Sequence, residues 1–288
     1  VQDSARMRGA VDSTSAGKIA ELIRLAARNG APVVGIFDSC GASIYEGARV
    51  LAAYGEVMRQ INAVKGTIPL IALIPGVCGG GMAAFASTFD FILTVSGQSD
   101  FYVSPPFISG EAPSDGTSVA DIAVADEDEL YPRTRELLSY LPSNCNEGAR
   151  MSDAPVFDRD IPTEYLAPKE YDARKIVACL SDGDRFISLG SGSVPELVSG
   201  LAYVGGIACG VLANDQHEHS GMMTARACRR AARLVRFCDS FGLPLIALAN
   251  TAGACPDEAD SAGYAEAVAG LYTALTISEN AKISVVTG

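Results

Sequence analysis

Two stretches that read alike decide the fold of this chain. Gly30-Ala31-Pro32-Val33-Val34-Gly35-Ile36-Phe37 leads to Gly41-Ala42, and Gly242-Leu243-Pro244-Leu245-Ile246-Ala247-Leu248 leads to Gly253-Ala254. The offset is 212 residues at every match, and it holds without a gap when Lys18–Gly76 is laid on Arg230–Gly288. In each copy a helical run ends in Gly-x-Pro, and a buried strand reaches Gly-Ala. An alanine- and glycine-rich helix and a second apolar strand follow. One supersecondary design used twice directs the search for function to places where the copies face a ligand or differ.

Outward from this pair, the first copy predicts a helix at 16–29 with Ile19, Leu22, Ile23 and Ala26 at helical spacing and Gly30 as its stop. A strand at 33–37, a helix at 46–63 and a strand at 68–74 follow. Gly76-Val77-Cys78-Gly79-Gly80-Gly81 then opens a helix at 82–87, before a third strand at 91–95. Strict alternation of strand and helix implies an α/β fold with a mainly parallel sheet. The acidic run Asp126–Glu129 reads as a helix N-terminus favoured by the macrodipole.

The second copy predicts a helix at 173–180, a turn at Asp182-Gly183-Asp184, and a hairpin of strands 200–204 and 207–213 closed by Gly205-Gly206. A helix at 225–240, a strand at 245–248, a helix at 261–275 and a strand at 283–286 complete it. The expected organisation is a first copy at 1–105, a connecting waist at 106–167 and a second copy at 168–288. Projected by 212 residues, the hairpin has its counterpart before Val1, and the glycine loop has its counterpart after Gly288. The expectation is therefore a fragment of a longer chain, with two similar subdomains each lacking a different part.

Bulk properties set the outer bounds. A chain of 288 residues with 48% hydrophobic and 19% charged residues supports an ordinary globular interior. It contains no apolar run near the ~20 residues of a membrane span. A net charge of −12 argues against nucleic acid as a partner. The eight cysteines form no CxxC pair, which points to reduced thiols in a cytoplasmic protein and to no metal module. The two histidines share one segment, His217-Glu218-His219, read as a solvated or ligand-lining loop.

The strongest chemical signal is the tripled glycine between a strand and a helix. Glycines let backbone approach a ligand, and the first amides of a helix lack intrahelical acceptors. Two such donors converging on one point form an oxyanion hole for a carbonyl that becomes an enolate. The alternative is a tight turn without a ligand. With no G-x-G-x-x-G and no P-loop lysine, the loop is a poor phosphate cradle.

These motifs resemble the carboxyltransferase component, beta-subunit type, of biotin-dependent acyl-CoA carboxylases and decarboxylases. The resemblance rests on residues 30–42 with Glu46-Gly47 and Ala53-Tyr54-Gly55-Glu56, on Gly76–Gly81 and Leu137–Asn144, and on Tyr171-Asp172-Ala173-Arg174, Asp182-Gly183-Asp184 and Ala232–Asp239. It implies two crotonase-like ββα spirals, the first binding acyl-CoA and the second binding biotin carried on another domain or subunit. By that resemblance Gly80 and Gly81 hold the thioester oxygen as enolate charge develops. Gly41, Ala42 and Gly79 line the CoA side, and Gly253 and Ala254 line the biotin side. It further implies a homo-oligomer that works with a biotin carboxyl carrier protein or domain, and with biotin carboxylase or membrane decarboxylase subunits. Biotin itself would take or give the proton.

The chain departs from the family pattern at Ser43, where an arginine is usual, and at Ala252–Pro256. A non-catalytic scaffold subunit of such a complex is therefore an alternative. An enoyl-CoA hydratase or isomerase is a second, although the helix 82–87 offers no carboxylate.

Overall fold

The computed structural model describes residues 1–110, 114–115, 119–153, 160–166, 171–190, 194–217, 219–255 and 262–287. Glu218, the acidic stretch inside 256–261, part of the segment 111–126, and Gly288 lie outside the described residues. The chain divides into two compact units, Val1–Arg135 and Glu136–Gly288, and the division falls inside 106–167.

In the first unit the elements run α1 (Ser13–Asn29), β1 (Val33–Ile36), α2 (Ala48–Val64), β2 (Leu70–Ile74), β3 (Val77–Gly79), α3 (Gly81–Thr88), β4 (Phe91–Val95), β5 (Asp100–Tyr102), α4 (Pro106–Ser109), β6 (Ser114–Asp115) and β7 (Ile122–Val124). Helix α5 (Glu127–Tyr140) runs across the division. A parallel sheet orders its strands β1-β2-β4-β7, and a small second sheet orders β3-β5-β6. Strand β2 is buried along its whole length, as a central parallel strand must be. Its Leu and Ile side chains contribute about 1.5–3 kcal/mol each on burial.

Helix α1 begins three residues before its first apolar position because Asp12 caps it, accepting from the Ser15 amide at 2.7 Å. Helix α2 begins later than the periodicity predicts. Ile44–Glu46 form a 3-10 turn, Gly47 breaks it at φ 55°, and Glu46 is drawn to the Ser13 amide at 2.7 Å.

The Ser15 amide holds the Asp12 carboxyl below its ordinary value of 3.8. A group whose folded pKa is depressed adds stability above its unfolded pKa and loses it as the pH falls through the folded one. Asp12→Asn keeps a capping oxygen but does not ionise, so it flattens that acidic part of the stability profile. Circular dichroism during acid titration measures this, and identical profiles for the variant and wild type contradict it.

In the second unit the elements run α6 (Ala173–Leu180), β8 (Phe186–Ser188), β9 (Leu197–Val204), β10 (Ile207–Asn214), α7 (Ala225–Ser240), β11 (Leu245–Ala249), α8 (Ala262–Ile277) and β12 (Lys282–Val286). They form one sheet in the order β12-β11-β10-β9-β8. Gly205 and Gly206 close the β9–β10 hairpin with φ of 60° and 79°. Gly210 is a packing requirement: a Cβ there would lie 2.5 Å from the Cys238 Sγ of α7.

The offset of 212 residues survives at the level of single bonds. Val33 pairs with Leu70, and Leu245 with Lys282, both parallel. Thr224 caps α7 where Asp12 caps α1, and the C-caps Gly30 and Gly242 have φ of 60° and 66°. Val11 bridges Ala42, and Met223 bridges Ala254.

The structural repeat reaches further back than the sequence match. Met7, Arg8 and Gly9 are left-handed at φ 51°, 54° and 67°, and His219, Ser220 and Gly221 are left-handed at 49°, 52° and 71°. The Arg8 carbonyl accepts from Cys40 N at 3.0 Å, and the Ser220 carbonyl accepts from Ala252 N at 3.2 Å. Each elbow thus supports its own Gly-Ala loop.

Candidate active site

In the first unit the loop after β1 is laced onto β3. Ser39 N donates to Val77 O at 2.6 Å, and Gly79 N donates to Ser39 O at 2.8 Å. The Asp38 carboxylate accepts from Val77 N at 3.2 Å and from Ser4 N at 3.0 Å, so it ties the glycine loop to the N-terminal segment. A side chain at Gly76 would come within 2.7 Å of that carboxylate.

Gly41 adopts φ 116°, and its amide donates to the Ser39 hydroxyl at 3.1 Å. A Cβ on Gly41 would lie 3.2 Å from Gly79 O, and one on Gly80 would lie 3.6 Å from the Gly41 Cα. The loops 40–42 and 79–81 are therefore in direct contact.

The amides of these loops divide into spent and unspent. Gly80 N–H donates to Tyr102 O at 2.9 Å, so it is engaged inside the protein. This departs from the expected donor pair of Gly80 and Gly81. The physical reason is β5: it pairs with β3 in parallel and carries Tyr102 past the loop, where its carbonyl takes that proton. Gly81 N–H is the first of α3 and has no intrahelical acceptor. Ala42 N–H points away from its bridge with Val11, whose bonds run through Gly41 O and Ser43 N. Among the described residues neither Gly81 nor Ala42 has an acceptor for its amide. Gly81 is half-buried and Ala42 is exposed.

Two tyrosines frame the glycines. The Tyr54 ring of α2 lies so close to Gly81 that a Cβ there would meet it at 2.5 Å, and it packs on Phe85 with centroids 4.9 Å apart. Burial pushes the Tyr54 hydroxyl well above its ordinary value, with the Cys78 thiol adding to the shift. The Tyr102 ring covers Gly79, where a Cβ would lie 2.7 Å away. Burial likewise pushes the thiols of Cys78 and Cys209 up to about 12, which makes them poor nucleophiles at neutral pH. All eight cysteines are free, and Cys40 in the contact loop is exposed.

The second unit repeats the loop with more room. Gly253 adopts φ 127°, its amide donates to Thr251 Oγ1 at 3.2 Å, and no atom lies within 4 Å of where a Cβ would stand. The Ala254 amide has no acceptor among the described residues. A neutral carbonyl finds a donor here, with backbone on one side and open space on the other.

Sequence reasoning missed Asp38, Tyr54 and Tyr102 as residues that set the loop. The signal for Asp38 was its constant distance from Asn250 in the repeat. Tyr102 carried none, because its backbone carbonyl is what matters. No cluster of three or more metal-binding side chains exists among the described residues, and no helix among them is long and apolar enough to cross a membrane.

Two spiral units, each presenting an unspent amide beside a Gly-Ala loop, define a duplicated crotonase-like α/β protein. The chain matches the carboxyl transferase domain over residues 1–110 and 114–288 and belongs to that family. It is 29% identical to the propionyl-CoA carboxylase beta chain of Saccharopolyspora erythraea over 96% of this chain and 58% of that protein. It is 31% identical to the propionyl-CoA carboxylase beta chain of Roseobacter denitrificans, again over 96% of this chain and 60% of that protein. A crystal structure of transcarboxylase 12S, described as a hexamer with hydrolysed methylmalonyl-coenzyme A bound, superposes with a TM-score of 0.92 at 28% identity, covering 99% of this chain and 60% of that one. The chain thus spans about 60% of the length of these relatives.

Proposed function

We propose that the protein moves a carboxyl group between biotin and the α-carbon of an acyl-CoA thioester. The observation that carries this reading is the pair of unspent amides, Gly81 and Ala42, on two loops in contact. Placed on a thioester oxygen, they meet the negative charge that develops as the α-carbon gains or loses its carboxyl group. The bonded amides do different work: Gly80 on Tyr102 and Gly41 on Ser39 hold the loops so that the free pair keeps its aim. Gly79 admits the Tyr102 ring and lines the CoA side.

Biotin, when bound, supplies a ureido nitrogen as carboxyl carrier. The loop that would receive it is Thr251–Ala254, with Ala254 N–H facing the ureido oxygen and Gly253 leaving space for the ring. The names of the relatives and the match to the carboxyl transferase family support this assignment of the two sides. In this reading biotin arrives on a separate carrier protein or domain, and the enzyme works in the cytoplasm as a homo-oligomer. The hexamer described for the 12S relative supports the oligomer.

The test uses the exposed Cys40 beside Ala42. Malonyl-CoA slows alkylation of Cys40 and, with free biotin added, is decarboxylated. Alkylation at an unchanged rate together with no decarboxylation returns the protein to a scaffold role.

A further inference from the structure

The two copies differ most in chemistry at a turn they share. In the first copy Ala5 N donates to the Asp3 carboxylate at 2.9 Å. At the same offset of 212 residues, His217 N donates to the Asp215 carboxylate at 3.1 Å. The turn is the same, yet Asp3 is exposed with an alanine beyond it, whereas Asp215 is buried with a histidine beyond it.

In the second copy the imidazole folds back onto the carboxylate, with His217 Nδ1 2.7 Å from Asp215 Oδ1. A carboxylate only accepts, so Nδ1 carries the hydrogen and Nε2 keeps its lone pair in the neutral ring. The Asp215 side chain is 7% exposed and the His217 side chain 63% exposed, so a fixed anion backs a reachable base. Arg174 Nε stands 3.7 Å from the other carboxylate oxygen, and Asp215 N donates to Glu196 O at 2.9 Å.

The chain on both sides of the pair is bound to the segment that leads into Thr251–Ala254. Asn214 Oδ1 accepts from Asn250 N at 3.3 Å, and the Gln216 amide donates to Asn250 Oδ1. Ser220 O accepts from Ala252 N at 3.2 Å.

We propose that Asp215 and His217 form a general-base dyad serving the ligand of the Thr251–Ala254 loop, a reading that rests on that loop receiving biotin. His217 Nε2 takes the proton from the ureido N–H as that nitrogen bonds the carboxyl carbon released by the acyl thioester. One N–H bond breaks and one N–C bond forms. The proton passes from His217 to water, from which the enolate recovers one. No oxidant or reductant takes part. Asp215 holds the tautomer and steadies the imidazolium, as a buried carboxylate does behind a catalytic histidine.

His217→Ala in the full-length protein lowers kcat for biotin-dependent decarboxylation of malonyl-CoA by about 10²-fold, the scale of a lost general base, and added imidazole restores part of it. Malonyl-CoA binding, followed by calorimetry, stays at the wild-type value. Asp215→Asn loses rate without responding to imidazole. Unchanged kcat in His217→Ala, or a loss that imidazole does not touch, overturns the dyad.

A second readout does not depend on turnover. Diethyl pyrocarbonate modifies both histidines, and free biotin slows modification of His217 but not of its neighbour His219. If the wild-type protein shows no biotin-dependent decarboxylation, the carboxyl-transfer reading fails by itself and this labelling decides the dyad. Absence of protection at His217 then overturns it.

Discussion

Gly80→Ala lowers kcat for biotin-dependent decarboxylation of malonyl-CoA by about 10²–10³-fold, the cost of displacing one oxyanion donor. The cause is backbone geometry and not bulk. Gly80 sits at φ 60°, ψ −133°, a conformation closed to side-chain-bearing residues, while its nearest neighbours to a new Cβ are at ordinary contact distances of 3.6 and 3.8 Å. An alanine must leave that conformation. In doing so it pulls Gly80 N–H off Tyr102 O and turns the peptide plane that carries the Gly81 amide. The fold loses about 1–3 kcal/mol from the same strain, too little to unfold a domain of this size. Steady-state kinetics beside a thermal melt separate the two effects. Wild-type turnover in a folded Gly80→Ala protein would remove the glycine loop from the reaction.

Gly221→Ala carries the largest expected loss of stability in the chain. Its φ is 71°, and a Cβ there would stand 2.2 Å from the carbonyl oxygen of Asn250. The conformational penalty is about 1–2 kcal/mol, and the overlap with backbone that has no free end to move raises the total to roughly 4 kcal/mol or more. Gly205→Ala provides the comparison. It has φ 60° with nothing within 4 Å, so it incurs the conformational penalty alone. Urea denaturation followed by circular dichroism should give midpoints well apart for the two variants. Equal midpoints would mean that the 219–221 elbow yields freely and does not anchor the loop at 250–254. Gly9→Ala, with a Cβ placed 2.0 Å from Asp38 O, should behave like Gly221→Ala in the first unit.

Much of the framework was legible because it rests on local rules. The helix at 225–240 and the turn at Gly205-Gly206 stand where periodicity and glycine placed them. So do the strand at 91–95 and the glycine loop opening α3. The short strands β3, β5, β6, β7 and β8 were not legible. Each is three residues or fewer, and only its neighbours make it a strand. The elbows at Met7–Gly9 and His219–Gly221 escaped notice for a related reason. Met7, Arg8, His219 and Ser220 are held left-handed by tertiary bonds against their intrinsic preference.

The sequence by itself determined the duplication, the α/β alternation and the two Gly-Ala loops, because glycine positions and apolar period act over a few residues and repeat at a fixed offset. Only the tertiary structure decided which amides remain available. The carbonyl that takes up Gly80 comes from Tyr102, and the one that supports Ala252 comes from Ser220, each far along the chain. The same holds for the imidazole of His217, whose neighbour Asp215 is buried by the packing of β9, β10 and α7 and not by anything in its own segment. Hydrogen-bond supply at a site is a property of what the fold brings within 3 Å, and no local reading of residues contains it.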